Sequence, residues 1–127
     1  MPTSKPNHLK TGTRGENFAC EHLIKKGYRI LKRNFRQTYG EIDIIARDRD
    51  GMLVFVEVKT MRPAESGLVP EDNISESKMR KTKKICEAYA NHNPSLIKEN
   101  KGWRIDVLAI ELAENLKDSV VRQYENV

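Results

Sequence analysis

The chain has 127 residues, a formal net charge of +5, 38% hydrophobic and 32% charged residues. That length suits one domain with a core large enough to fold without a metal or disulfide staple. Its longest apolar run, Met52 to Val56, falls far short of the roughly 18 residues of a membrane span, and its two cysteines and three scattered histidines carry no metal-ligand spacing.

No membrane association is therefore expected, nor a zinc knuckle, a disulfide scaffold or histidine-based hydrolysis. The basic balance favours polyanionic partners. Met1 to Gly12 is polar and lacks an apolar stretch, which predicts a cytoplasmic protein.

Residues 1–12 read as a flexible tail, 13–111 as one domain and 112–127 as a charged tail packed on or near it. A helix is predicted from Thr13, its N-cap, with Glu16 at the capping-box spacing. Ala19, Cys20, Leu23 and Ile24 form its apolar stripe, and Gly27 ends it. Tyr28 to Phe35 is a strand candidate. Glu41 to Ala46, the turn Asp48 to Gly51 and Met52 to Val58 then read as a β-hairpin.

Residues 60–73 form a long Pro- and Gly-containing loop, of the kind that is often functional. A second helix begins near Asn73 or Ser75 and runs to about Asn91, with Met79, Thr82, Ile85, Cys86 and Tyr89 inward. Trp103 to Glu111 is the last predicted strand. The order α-β-β-β-α-β implies an α/β fold on a small mixed sheet flanked by helices.

Strand periodicity puts Glu57 and Lys59 on one face with Phe55. If the hairpin turn centres on Asp50, facing positions sum to 100 and Asp43 lies opposite Glu57. Two carboxylates so placed repel unless a cation joins them. Mg²⁺, which takes carboxylate oxygens and keeps several waters, would resolve the conflict. Lys59 beside it would stabilise developing phosphorane charge or orient the attacking water. An E-x-K tripeptide alone more often makes a surface ion pair. Here an acid, a tight turn and E-x-K are enclosed by apolar residues, and burying them unpaired would cost several kcal/mol.

Gly40-Glu41-Ile42-Asp43-Ile44-Ile45-Ala46 followed by Val54-Phe55-Val56-Glu57-Val58-Lys59-Thr60 resembles the PD-(D/E)xK nuclease core. Within that superfamily the chain is similar to the YraN-like family, related to archaeal Holliday-junction resolvases. The likeness extends to Arg14-Gly15-Glu16-Asn17-Phe18-Ala19, Asn34-Phe35-Arg36, Lys78, Lys81 and Trp103 to Val107. It implies a restriction-endonuclease-like fold, Asp43 and Glu57 as ligands of Mg²⁺ or Mn²⁺, and Lys59 as the catalytic lysine. The segment before Asp43 lacks the proline of the superfamily's name.

Glu16 has two readings. With Thr13 it completes a capping box. It also points along the buried stripe, and in the resembled nucleases a first-helix glutamate approaches the metal cluster. Lys78 and Lys81, one turn apart in a basic stretch of the second helix, are candidate nucleic-acid contacts, as is Arg62. Asp106 is expected to form a salt bridge with Arg104 rather than take part in catalysis.

The expected function is a Mg²⁺- or Mn²⁺-dependent endonuclease acting on DNA in preference to RNA, including branched or junction DNA. By analogy with resolvases it would be a homodimer. The rival is a non-catalytic nucleic-acid-binding or scaffolding protein that retains the nuclease fold.

Overall fold

The computed structural model describes residues 11–38, 40–61, 75–98 and 101–127. Thr11–Lys25 forms α1, Arg29–Gln37 β1, Gly40–Arg47 β2, Leu53–Met61 β3, Glu76–His92 α2, Trp103–Glu111 β4 and Val120–Tyr124 β5. The α-β-β-β-α-β order is the expected one, with a further strand after it. Among the described residues no helix is long and apolar enough to cross a membrane.

The helix ends follow local chemistry. Gly27, at a φ of 91°, takes the left-handed turn that stops α1. Ser75 caps α2, its side chain accepting from the Lys78 N–H at 3.0 Å. The start of α1 differs from expectation. The helix is already under way at Thr11, so Thr13 is not its N-cap and the capping-box reading of Glu16 fails. Ile24, expected in the inner stripe, is exposed.

The five strands lie in the order β1-β2-β3-β4-β5. β1 pairs antiparallel with β2 and β2 with β3, while β4 is parallel to β3 because α2 carries the chain across. β5 then pairs antiparallel with β4. It occupies part of the stretch read as a tail, where exposed Val120 and Tyr124 gave no clean alternation. At the other margin of the sheet, β1 turns Arg29, Lys32, Arg33 and Arg36 to solvent.

Helices cover both faces. Ala19, Cys20 and Leu23 of α1 pack on Ile44, Ala46, Val54, Val56, Leu108 and Ile110. Ile85, Cys86 and Tyr89 of α2 pack on Ile45, Leu53, Phe55 and Ile105. Strands buried on both sides must be apolar at nearly every position, which explains the continuous run from Leu53 to Val56.

Asp106 is fully buried in β4. Arg104 Nε donates to it at 2.9 Å, Gln123 Nε2 at 2.9 Å and the Asn126 N–H at 3.1 Å. Arg104 also reaches Asp48 at 2.9 Å and the Tyr28 hydroxyl at 2.8 Å. This network ties the hairpin turn, β4 and the chain's last residues together, and is the structural role expected of Asp106. Asp106→Asn keeps the shape but weakens the charged bonds. It should lower stability by about 2 kcal/mol in urea unfolding, and a wild-type midpoint would disprove this role.

Candidate active site

The β2–β3 ladder pairs Ile44 with Val56, Ile45 with Phe55, Ala46 with Val54 and Arg47 with Leu53. Each pair sums to 100, the register predicted from the turn. The next step along it brings Asp43 to Glu57. Here the backbone ladder gives way, and Asp43 Oδ2 accepts from the Val58 N–H at 2.7 Å.

Asp43 is 8% exposed and Glu57 6%. Glu57 lies close enough to Asp43 to disfavour ionisation of the Asp43 carboxyl. Burial first, and Glu57 second, push Asp43 up to about 8, against the opposing pull of the Val58 N–H and the Lys78 ammonium.

Two ammonium groups answer the acids. Lys78 Nζ, from the first turn of α2, lies 3.3 Å from Glu57 Oε2. Lys59 is partly buried on β3. Desolvation and then the charge of Lys78 hold its pKa below the usual lysine range, while Glu57 and Asp43 pull it back. A cavity of about 220 Å³ opens on this cluster, walled by Asp43, Glu57, Lys78, Lys81, Thr82 and Ile85, with Gly40 and Glu41 at its β2 end. Lys59 is coupled to the cluster electrostatically without lining the cavity.

Glu16 comes from α1, the helix on the other face. Burial raises its pKa, and Asp43 raises it further; the charge of Arg33 and the polar side chain of Asn34 act the other way. α1 sits close to β3 at Gly15, where an added Cβ would run into the Thr60 side chain, 2.8 Å from its methyl carbon. Gly15→Ala should therefore push α1 off the sheet. We expect a loss of about 2 kcal/mol in thermal or urea unfolding; a protein as stable as wild type would show that the helix can yield.

The donor set suits a hard divalent ion. Two facing carboxylates are what Mg²⁺ takes from a protein, with waters completing its shell. Among the described residues no three His, Cys, Asp or Glu side chains gather into a fuller cage.

The structure thus brings Asp43, Glu57, Lys59, Lys78 and Lys81 to one end of the hairpin and α2, with Glu16 approaching from α1. Arg62 lies outside the described residues. Trp103 and Tyr89 pack around Phe55 as core, with ring centroids 5.4 and 5.8 Å away. Two residues escaped sequence reading as parts of the site. Thr82 looked like one more inner-stripe residue. Asn34 carried a signal, because asparagine is depleted in strands and enriched among left-handed residues.

A family model described as Uncharacterised protein family UPF0102 matches residues 15–110. A UPF0102 protein of Trichlorobacter lovleyi is 38% identical over 120 residues, covering 94% of this chain and 91% of the relative. One of Dictyoglomus turgidum is 40% identical over 107 residues, covering 84% and 86%. Among solved structures, a chain from "Structure of EndoMS-dsDNA2 complex" aligns with a TM-score of 0.44 at 17% identity, covering 81% of this chain and 39% of that one.

Proposed function

We infer that this chain, which belongs to the Uncharacterised protein family UPF0102, is a metal-dependent endonuclease that hydrolyses phosphodiester bonds of DNA, including branched or junction DNA. The observation that carries this reading is the buried acidic pair Asp43 and Glu57 with the ammonium of Lys78 drawn onto Glu57 beside an open cavity. A purely structural core would be more stable with apolar residues at these positions.

In this reading Asp43 and Glu57 hold Mg²⁺ or Mn²⁺. When bound, such an ion polarises a phosphoryl oxygen and makes water a nucleophile at neutral pH. Lys59 supplies fixed positive charge for the oxygens on which negative charge builds. Glu16 orients the attacking water from the α1 side. Lys78, Lys81 and Arg62 bind the phosphate backbone, a contact that weakens with salt. The test is a cleavage screen over junction, flap, duplex and single-stranded DNA and RNA, with and without divalent metal. Metal-dependent cleavage that Asp43→Ala and Lys59→Ala abolish supports the assignment; unchanged nicking by both variants rejects it.

One observation favours the non-catalytic alternative: Lys78 already gives Glu57 a cation at 3.3 Å, so the acids have a partner without any metal. That alternative expects salt-sensitive nucleic-acid binding through Lys78 and Lys81 and no turnover. Calorimetric titration of Mn²⁺ separates the two. Heat with wild type that disappears in Asp43→Asn supports the enzyme, and no heat in either protein supports the binder.

A further inference from the structure

Lys78 stands where helix physics does not favour it. It is the third residue of α2, and the positive end of a helix dipole disfavours a cation in the first turn. Its backbone N–H already has a partner in Ser75 Oγ at 3.0 Å, so capping does not account for the side chain. Glu57 does: Lys78 Nζ lies 3.3 Å from its Oε2.

The two partners are unequal. The Glu57 side chain is 6% exposed and that of Lys78 45%. A carboxylate so buried needs a cation beside it, whereas an ammonium still largely in water gains little from one ion pair. The contact therefore serves the acid. A hydrated charge on a flexible four-carbon stem can also leave it without moving the helix. Space for that movement is at hand, because Lys78 walls the same cavity as Asp43 and Glu57.

A divalent ion taken up by Asp43 and Glu57 would draw on the carboxylate that Lys78 now neutralises. Two cations about 4 Å apart repel strongly in a partly dry site, so they cannot both hold Glu57.

We propose that Lys78 is an internal counter-ion that keeps the metal's place: its ammonium neutralises Glu57 in the metal-free chain and gives way when a divalent ion binds. The competition rests on Asp43 and Glu57 being the metal ligands of the nuclease reading; the ion pair does not. Once displaced, the ammonium is free to act as the phosphate contact which that reading assigns to it.

Titration calorimetry of the full chain with Mn²⁺ alone tests the competition. Lys78→Met removes the competitor and should bind Mn²⁺ about tenfold more tightly than wild type. Lys78→Arg restores a cation and should bring the affinity back towards the wild-type value. Lys81→Met takes the same charge from the wall of the same cavity; it should change the affinity by less than about twofold, because a more distant charge is screened. Circular dichroism should show all three variants folded. Heat from wild type and Lys78→Met at one and the same affinity would overturn this proposal alone. Equal gains from Lys78→Met and Lys81→Met would do so too, by reducing the effect to net charge. No heat from either wild type or Lys78→Met would overturn the metal site itself, and the proposal with it.

Discussion

Asp43→Ala is expected to cut cleavage by on the order of 10³-fold and Lys59→Ala by about 10²-fold, both with the fold intact. Asp43 contributes one of only two facing carboxylates, so its loss leaves half a metal site. Lys59 contributes a fixed charge whose attraction grows as negative charge builds in the transition state, and a low-dielectric setting magnifies that attraction. Removing the Asp43 side chain orphans the Val58 N–H it accepts at 2.7 Å, a cost of roughly 1–3 kcal/mol, but also relieves the crowding of two acids. These effects oppose one another, so circular dichroism should show a folded protein. Single-turnover rates at saturating Mn²⁺ measure the chemical loss apart from substrate binding. A variant of Asp43 that cleaves at the wild-type rate would place the chemistry elsewhere.

The metal-free protein should lose stability as pH rises from about 4 to about 8. Asp43 is lifted from 3.8 to about 8 by burial and by Glu57. Below pH 4 folded and unfolded chains both hold this proton, and the site costs nothing. Between the two values the unfolded chain has released it while the folded chain keeps it, so each rise in pH favours unfolding. The drop levels off once the folded carboxyl ionises. At about 1.36 kcal/mol per unit, discounted for relaxation, it amounts to on the order of 4 kcal/mol.

Asp43→Asn can still accept from Val58 but cannot titrate. Its stability relative to wild type should climb across this window, making it the more stable protein at pH 8. Urea unfolding at pH 5, 6.5 and 8 in chelator measures the difference, from which other titrating groups largely cancel. Parallel profiles for the two proteins would show that Asp43 ionises freely in the fold. Millimolar Mn²⁺ should stabilise wild type at pH 8 and leave Asp43→Asn unmoved.

The hairpin was legible because its rules are local. A D-x-D-G turn pins the register, Asp48 Oδ1 accepting from Asp50 and Met52 N–H at 2.9 Å each, and a period of two does the rest. The opposition of Asp43 and Glu57 follows from those two facts. What was not legible depends on the tertiary fold. Lys78 reads as one lysine among several on a solvated helix, and only the β3-to-β4 crossover swings it onto Glu57. Strict alternation set Ile42 and Ile44 on one face, yet the left-handed Asn34 opposite Asp43 divides them between two cores. β5 was missed because a short marginal strand takes its order from the neighbour it pairs with. The early start of α1 removed the local explanation for Glu16, and the groups that act on its carboxyl, Asp43 and Arg33, come from strands that only the tertiary fold brings to α1.

The outer strand β1 has a consequence for how copies of this chain can meet. An unpaired strand flank is ordinarily a template on which another chain zips up. Here Arg29, Lys32 and Arg33 lie exposed beside the Arg36–Glu41 ion pair, an excess of positive charge that repels an identical newcomer, and the left-handed residue Asn34 distorts the row of amides and carbonyls such a newcomer would need. Fibrillar stacking along this flank is thereby disfavoured.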